Sequence, residues 1–225
     1  MHIQASTLSF LSVLKANNNR EWFSTHKAEY DAAQSNLKST VGLLLKGICE
    51  FDQELVGLEP KSCVFRIFRD VRFGHDKSPY KTHLGAWMAK GGRKSPFAGY
   101  YIHLQPGNGS FLAGGCYQPE PKVLHSIREA VDVEDEEFLA LVQETEFREL
   151  FGGLGGERLQ KIPKGYAKNH PMIEYLKHKS FVVTRPLGDD VLTAEGFLEE
   201  ALRAYRGMHG LNQFLNRAIE HGLSD

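Results

Sequence analysis

No apolar run in the chain approaches the roughly 18–20 residues that a helix needs to cross a bilayer. The opening residues, MHIQASTLSF, lack a basic stretch followed by a long apolar one, so no secretory signal is read there and a cytoplasmic protein is expected. Cysteine is scarce. Cys49, Cys63 and Cys116 are odd in number and widely spaced, which excludes a disulfide framework and a C-x-x-C metal pair. They read as small buried apolar residues, and Cys116, after Gly114-Gly115, is the only thiolate candidate. No H-E-x-x-H or other paired histidine spacing occurs among the 10 histidines, so no metal and no cofactor are expected. A net charge of −1 excludes a generally basic nucleic-acid binder. With 225 residues, 41% hydrophobic and 24% charged, the chain has the composition of an ordinary globular protein and is read as one domain over residues 1–225.

Charge is unevenly distributed along the chain. From Lys61 to Lys94 nine Lys/Arg meet only Asp70 and Asp76, a local excess of +7. A second basic stretch, Glu157 to Arg185, carries +5, and the Glu120–Phe151 stretch between them carries −7. The excess can be neutralised by the acidic segment within the chain, by an anionic ligand, or by solvent at the surface.

Thr7 can cap a short helix with Leu8, Leu11 and Leu14 on one face, interrupted at Asn17-Asn18-Asn19. Asn19 caps a longer helix whose stripe runs through Trp22, Phe23, His26, Tyr30, Ala33, Leu37, Val41, Leu44 and Ile48. Four strand-like runs follow: Cys63–Arg69, Thr82–Ala89, Ala98–Gln105 and Phe111–Tyr117. The last two are joined by Pro106-Gly107-Asn108-Gly109, a hairpin turn and not a phosphate loop, since no Gly-Lys-Ser/Thr follows. A helix opening at Gln118-Pro119 carries Leu124, Ile127 and Val131, and a further acidic helix covers Val133–Gln143. Gly152–Gly156 is a break, Phe181–Arg185 a returning strand, and helices starting at Thr193 and around Leu211–Ile219 close the chain. The order predicts an α+β fold: a mostly antiparallel sheet of about five strands packed with N-terminal and C-terminal helices.

The densest polar chemistry lies in Phe65–Lys81. Read as the end of a strand, this segment puts Arg66, Phe68 and Asp70 on one face and Arg69 on the other. Arg66 and Asp70 are then about 13 Å apart along the strand, so Arg66 needs another partner. Arg66, Arg69, Arg72, Lys77 and Lys81 can supply charge to a phosphate or carboxylate, with Asp70, His75 and Tyr80 beside them. A second basic loop, with Lys164, Tyr166 and His170, can close over the first. His83 and His103 sit on neighbouring strands, and whether they converge depends on a register that sequence does not set.

The string FRIFRDVRFGHDKSPYK, at residues 65–81, resembles the signature of domain-of-unknown-function family 2461 of bacteria and fungi. Asn18–Phe23, Gly99–Leu104, Pro163–Tyr166 and His170-Pro171 fit it as well. The resemblance implies one domain and carries no reaction, substrate or catalytic residue. Three functions are consistent with the residues. The first is binding of an anionic ligand at the basic loop: a phosphorylated metabolite, a nucleotide or a nucleic-acid backbone. The second is an enzyme acting on a phosphorylated or carboxylated small molecule, with Asp70 or His75 as acid/base. The third is an interaction protein whose Arg–Asp network only stabilises the fold. Whether the chain is an enzyme, and how many copies assemble, stays open at this level, and no membrane partner is expected.

Overall fold

The computed structural model describes residues 2–70, 72 and 76–224. In chain order the elements begin with helices α1 (Ala5–Ala16), α2 (Arg20–Thr25) and α3 (Lys27–Ile48), a 3-10 turn at Gln53–Leu55 and the short α4 (Pro60–Cys63). A meander follows, of β1 (Leu84–Ala89), β2 (Gly99–Leu104) and β3 (Ser110–Cys116). Helices α5 (Pro121–Val133), α6 (Asp135–Gln143), α7 (Thr145–Phe151) and α8 (Ile173–Leu176) then lead to β4 (Phe181–Leu187), α9 (Asp189–Thr193) and α10 (Phe197–Ser224). The class is α+β. The described residues form one antiparallel sheet of four strands, in the order β1-β2-β3-β4, rather than the five expected.

The missing strand is Cys63–Arg69. Pro60 occupies the first turn of α4, where its absent N–H costs nothing, and Cys63 ends that helix. Val64 then makes a single bridge to Ala86, and by Phe68 the segment has left the sheet to pair with Tyr80. Smaller differences have similarly local causes. Thr7 lies inside α1 and donates its hydroxyl to the side-chain Oδ1 of Asn36, while Gln4 stands at the helix start. Asn19 does cap a helix, accepting from the Trp22 N–H at 2.9 Å, but His26 interrupts the long stripe between α2 and α3. Pro121, not Pro119, opens α5. Thr193 ends α9, and the two expected C-terminal helices are the single 28-residue α10. Gly207 and Gly210 do not break that helix. They let Leu150 and Leu141 approach where a Cβ would stand 2.7 Å from each.

Alternation gives the sheet two unlike faces. Leu84, Ala86, Met88, Tyr100, Ile102, Leu104, Leu112 and Val183 point inward and are buried. Helix α10 lies directly on this side: a Cβ on Gly114 would stand 2.7 Å from Met208 Sδ, and Tyr205 packs edge-on against Tyr100. Asn212 and Asn216 on the same helix bond the backbone of Gly99 and Ala98, so the buried start of β2 keeps its polar groups satisfied. The opposite face carries Gly85, Trp87, Tyr101, His103, Phe111 and Thr184, and every side chain in that set stays at least partly exposed.

The break at Gly152–Gly156 is structured. Gly152 caps α7 in the left-handed region, and the Gly155 N–H donates to Val182 O along the free edge of β4. Cys63 and Cys116 are buried and Cys49 is half-buried, all three free. Burial pushes the Cys116 thiol up to about 12, so it is no thiolate.

Candidate functional site

The segment after α4 runs beside the edge of β1, where the Phe65 N–H donates to Gly85 O at 3.0 Å. It then doubles back. Lys81 N–H donates to Ile67 O at 2.8 Å and Arg69 N–H to Pro79 O at 2.9 Å, with Ile67 fully buried beneath. The return limb is pinned from the N-terminal helices. Asn18 accepts from Tyr80 N–H at 3.1 Å and donates to Tyr80 O at 2.9 Å, and Phe23 stacks on the Tyr80 ring at 3.9 Å. Tyr80 is therefore buried structural material and not a wall of the cleft described below.

Most of the local cations have protein partners. Arg69 pairs with Asp76, and Asp76 also accepts from the Ser78 N–H and hydroxyl. The Ser78 bonds, with Arg69, hold the Asp76 carboxyl below the usual carboxylate range. Arg72 grips both oxygens of Asp70 at 2.9 and 2.6 Å, which lowers that carboxyl too. Lys61 pairs with Glu59, and Lys90 with Glu54 and Glu220. Arg93 donates to the carbonyls of Lys61, Ser62 and Val64. Part of the acidic segment is engaged elsewhere: Glu134 and Glu137 with Arg217, Glu146 with Arg203, and Asp132 with His170. Lys77 is exposed, and His75 lies outside the described residues.

Lys94 is exposed, and two cations are left at the edge of β1. Among the described residues the Arg66 guanidinium has no ion pair or hydrogen bond. It acts on Asp70 only through space, and Arg72 already holds that carboxylate. Lys81 donates to Arg66 O at 3.1 Å and sits 5.6 Å from the centre of the Phe65 ring. Burial, then the Arg66 charge, lowers its pKa. Both line a cleft of about 190 Å³ closed by Phe65, His83, Gly85 and Tyr101, with no carboxylate among the described residues of its wall.

The rest of the wall is neutral and able to form hydrogen bonds. Burial, followed by His103, Lys81 and Arg69, pushes the His83 imidazole down to about 4. Its ring lies 4.3 Å from that of His103. His103 is lowered by burial as well and stacks on Phe111 at 4.6 Å. With Gln105 Oε1 accepting at 3.3 Å, His103 carries its proton on Nε2, and its Nδ1 accepts from the Tyr101 hydroxyl at 3.0 Å. Burial pushes Tyr101 up to about 12, so it remains a phenol. Gly85 is required beneath it, since a Cβ there would stand 2.6 Å from the Tyr101 oxygen.

Of the residues singled out by sequence, Arg66 and Lys81 meet in this cleft, while Arg69, Asp70 and Arg72 form pairs beside it. Lys164 is exposed. Tyr166 and His170 belong with α5: His170 Nε2 stands 2.7 Å from Asp132, and Arg128 and Asp132 both act on the Tyr166 hydroxyl. Phe65, His83, Gly85, Tyr101 and His103 complete the site without having been named for it. Only the convergence of His83 and His103 had been raised, and register decides it. Among the described residues no group of three His, Cys, Asp or Glu could hold a metal, and no helix is long and apolar enough to cross a membrane.

An α+β framework whose antiparallel sheet turns one face to α10 and holds a cation-lined cleft at the edge of the other defines the class of the protein. Residues 6–214 match the family described as Conserved hypothetical protein (DUF2461), and the chain belongs to that family. No curated protein and no solved structure matches it.

Proposed function

We propose that the chain binds an anionic ligand, with the anion seated between Arg66 and Lys81. One observation carries the reading: these two cations share a cleft wall that contains no carboxylate among the described residues, while their neighbours Arg69 and Arg72 are paired. Two positive groups brought together in a half-buried site repel, and a bound anion reverses that cost. The cleft, about 190 Å³, is smaller than the roughly 300–1,000 Å³ of a pocket for a drug-sized molecule, so it suits a phosphate-sized head with the rest of the ligand outside. Neutral His83 can donate a ring N–H to the anion without adding charge, while the Tyr101 hydroxyl is already given to His103. The Asp70–Arg72 and Asp76–Arg69 pairs favour a second role for their own four residues, that of fixing the loop. Three free thiols fit a reducing compartment such as the cytoplasm.

The test is thermal denaturation with inorganic phosphate. A ligand of the folded state raises Tm in proportion to its occupancy. Wild type and Arg72→Ala should be stabilised, and Arg66→Ala and Lys81→Ala should not. No shift in wild type, or an equal loss in all three variants, would overturn the assignment.

A further inference from the structure

We propose that the anion is the phosphate of a mononucleotide, and that its base rests on the outer face of the sheet beside the cleft. The proposal rests on the anion-binding reading above and names the ligand class of that same site.

The solvent side of an antiparallel sheet is ordinarily polar. Here it carries Trp87, Tyr101, His103 and Phe111, joined at the β1 edge by Phe65. Tyr101 is the hub. Its ring centre lies 5.8 Å from Phe111, 5.9 Å from His103, 6.3 Å from Phe65 and 6.4 Å from Trp87. Tyr101 and Phe65 also wall the cleft, so the aromatic surface begins where the cations end. Local contacts hold the arrangement: the Tyr101 hydroxyl donates to His103, His103 donates to Gln105, and the Tyr101 ring sits close over Gly85. Among the described residues the Trp87 indole N–H makes no hydrogen bond, which leaves a donor free on this face.

A ligand complementary to this surface has a dianionic head joined to a flat, apolar-faced group with acceptors on its edge. A nucleoside monophosphate has both parts. Aromatic side chains beside a cationic groove stack nucleobases without strong preference among them. A sugar phosphate fills the cleft and leaves the rings bare. The two cations of the cleft are too few to track a polymer backbone, whose affinity grows with each phosphate neutralised.

The experiment uses the full chain carrying Trp22→Phe, which leaves Trp87 as the only tryptophan. Inorganic phosphate, ribose 5-phosphate, AMP, adenosine and a ten-residue thymidine oligonucleotide are titrated by calorimetry and by tryptophan emission. The expected result is AMP binding at least tenfold tighter than ribose 5-phosphate, with Trp87 emission changed by AMP and not by the sugar phosphate. Trp87→Leu should remove that preference and keep phosphate binding. Equal affinity for AMP and ribose 5-phosphate would overturn the nucleotide assignment and leave anion binding standing. Binding of the oligonucleotide a hundredfold tighter than AMP would overturn it in favour of single strands. Absence of binding by phosphate and by every phosphate ester would overturn both readings.

Discussion

The imidazoles of His83 and His103 lie with their ring centres 4.3 Å apart and their planes tilted by 33°, and among the described residues no carboxylate pairs with either. A histidine in such a place is neutral at pH 7, because burial and the neighbouring cations disfavour its charged form.

Stability should therefore fall with acidification in a definite window. The unfolded His83 takes a proton near pH 6.5, while the folded one resists until about pH 4. Between those values the unfolded chain binds the extra proton, so its contribution is complete above pH 6.5 and lost as pH falls toward 4. His83→Gln should flatten the Tm profile in that range by up to one proton's worth of slope. Carboxylates titrate in both proteins, so the difference between the two profiles is what counts, and identical profiles would contradict the assignment.

Asn18 is the latch of the 66–81 segment, through its two hydrogen bonds to Tyr80. Asn18→Ala leaves a buried backbone pair unsatisfied, at a cost of about 1–3 kcal/mol. Urea denaturation measures that loss. Limited trypsin digestion should also cut faster between Arg69 and Lys81 than in wild type.

Gly85→Ala tests the floor of the cleft. The added methyl displaces the Tyr101 ring, and such overpacking costs about 1–3 kcal/mol. Phosphate affinity should fall at least tenfold. A variant that binds phosphate as wild type does would show that Tyr101 need not lie where it does.

On the other face, Tyr100 donates to the buried Asp52 carboxylate at 2.9 Å and lies 2.9 Å from His209 Nδ1. Tyr100→Phe removes the donor and should destabilise the fold by about 1–3 kcal/mol. Phosphate binding should be unchanged, since the inner face does not touch the cleft. A coupled loss of both would mean that the two faces communicate.

The meander was legible because its signals are local. The turn at Gly107 and Asn108 takes positive φ of 79° and 60°, as a tight turn with these residues demands. Tyr100 and Tyr101 point to opposite faces, as alternation requires. The run Cys63–Arg69 carries the same aromatic and branched composition as a strand, yet its neighbours draw it off the sheet after one bridge. Composition measures how well a residue suits a pleated surface and not whether a partner strand is there. Thr193 ends α9 instead of opening a helix, and the two expected C-terminal helices are one, with Gly207 and Gly210 seated against Leu150 and Leu141, contacts that depend on tertiary packing.

Charge separated into the same two levels. The sequence determined that residues 61–94 carry a cationic excess, that alternation splits the sheet into unlike faces, and which family the chain resembles. Only the tertiary structure decided which cations remain unpaired and which rings meet them. Pairing depends on distances of a few ångströms between residues far apart in the chain, and those distances follow from strand register and helix packing. Asp70 and Asp76 removed Arg72 and Arg69 from the count, Glu54 and Glu220 removed Lys90, and backbone carbonyls removed Arg93. Arg66 and Lys81 were left at the cleft, beside a histidine pair that β1–β2 pairing alone brought together.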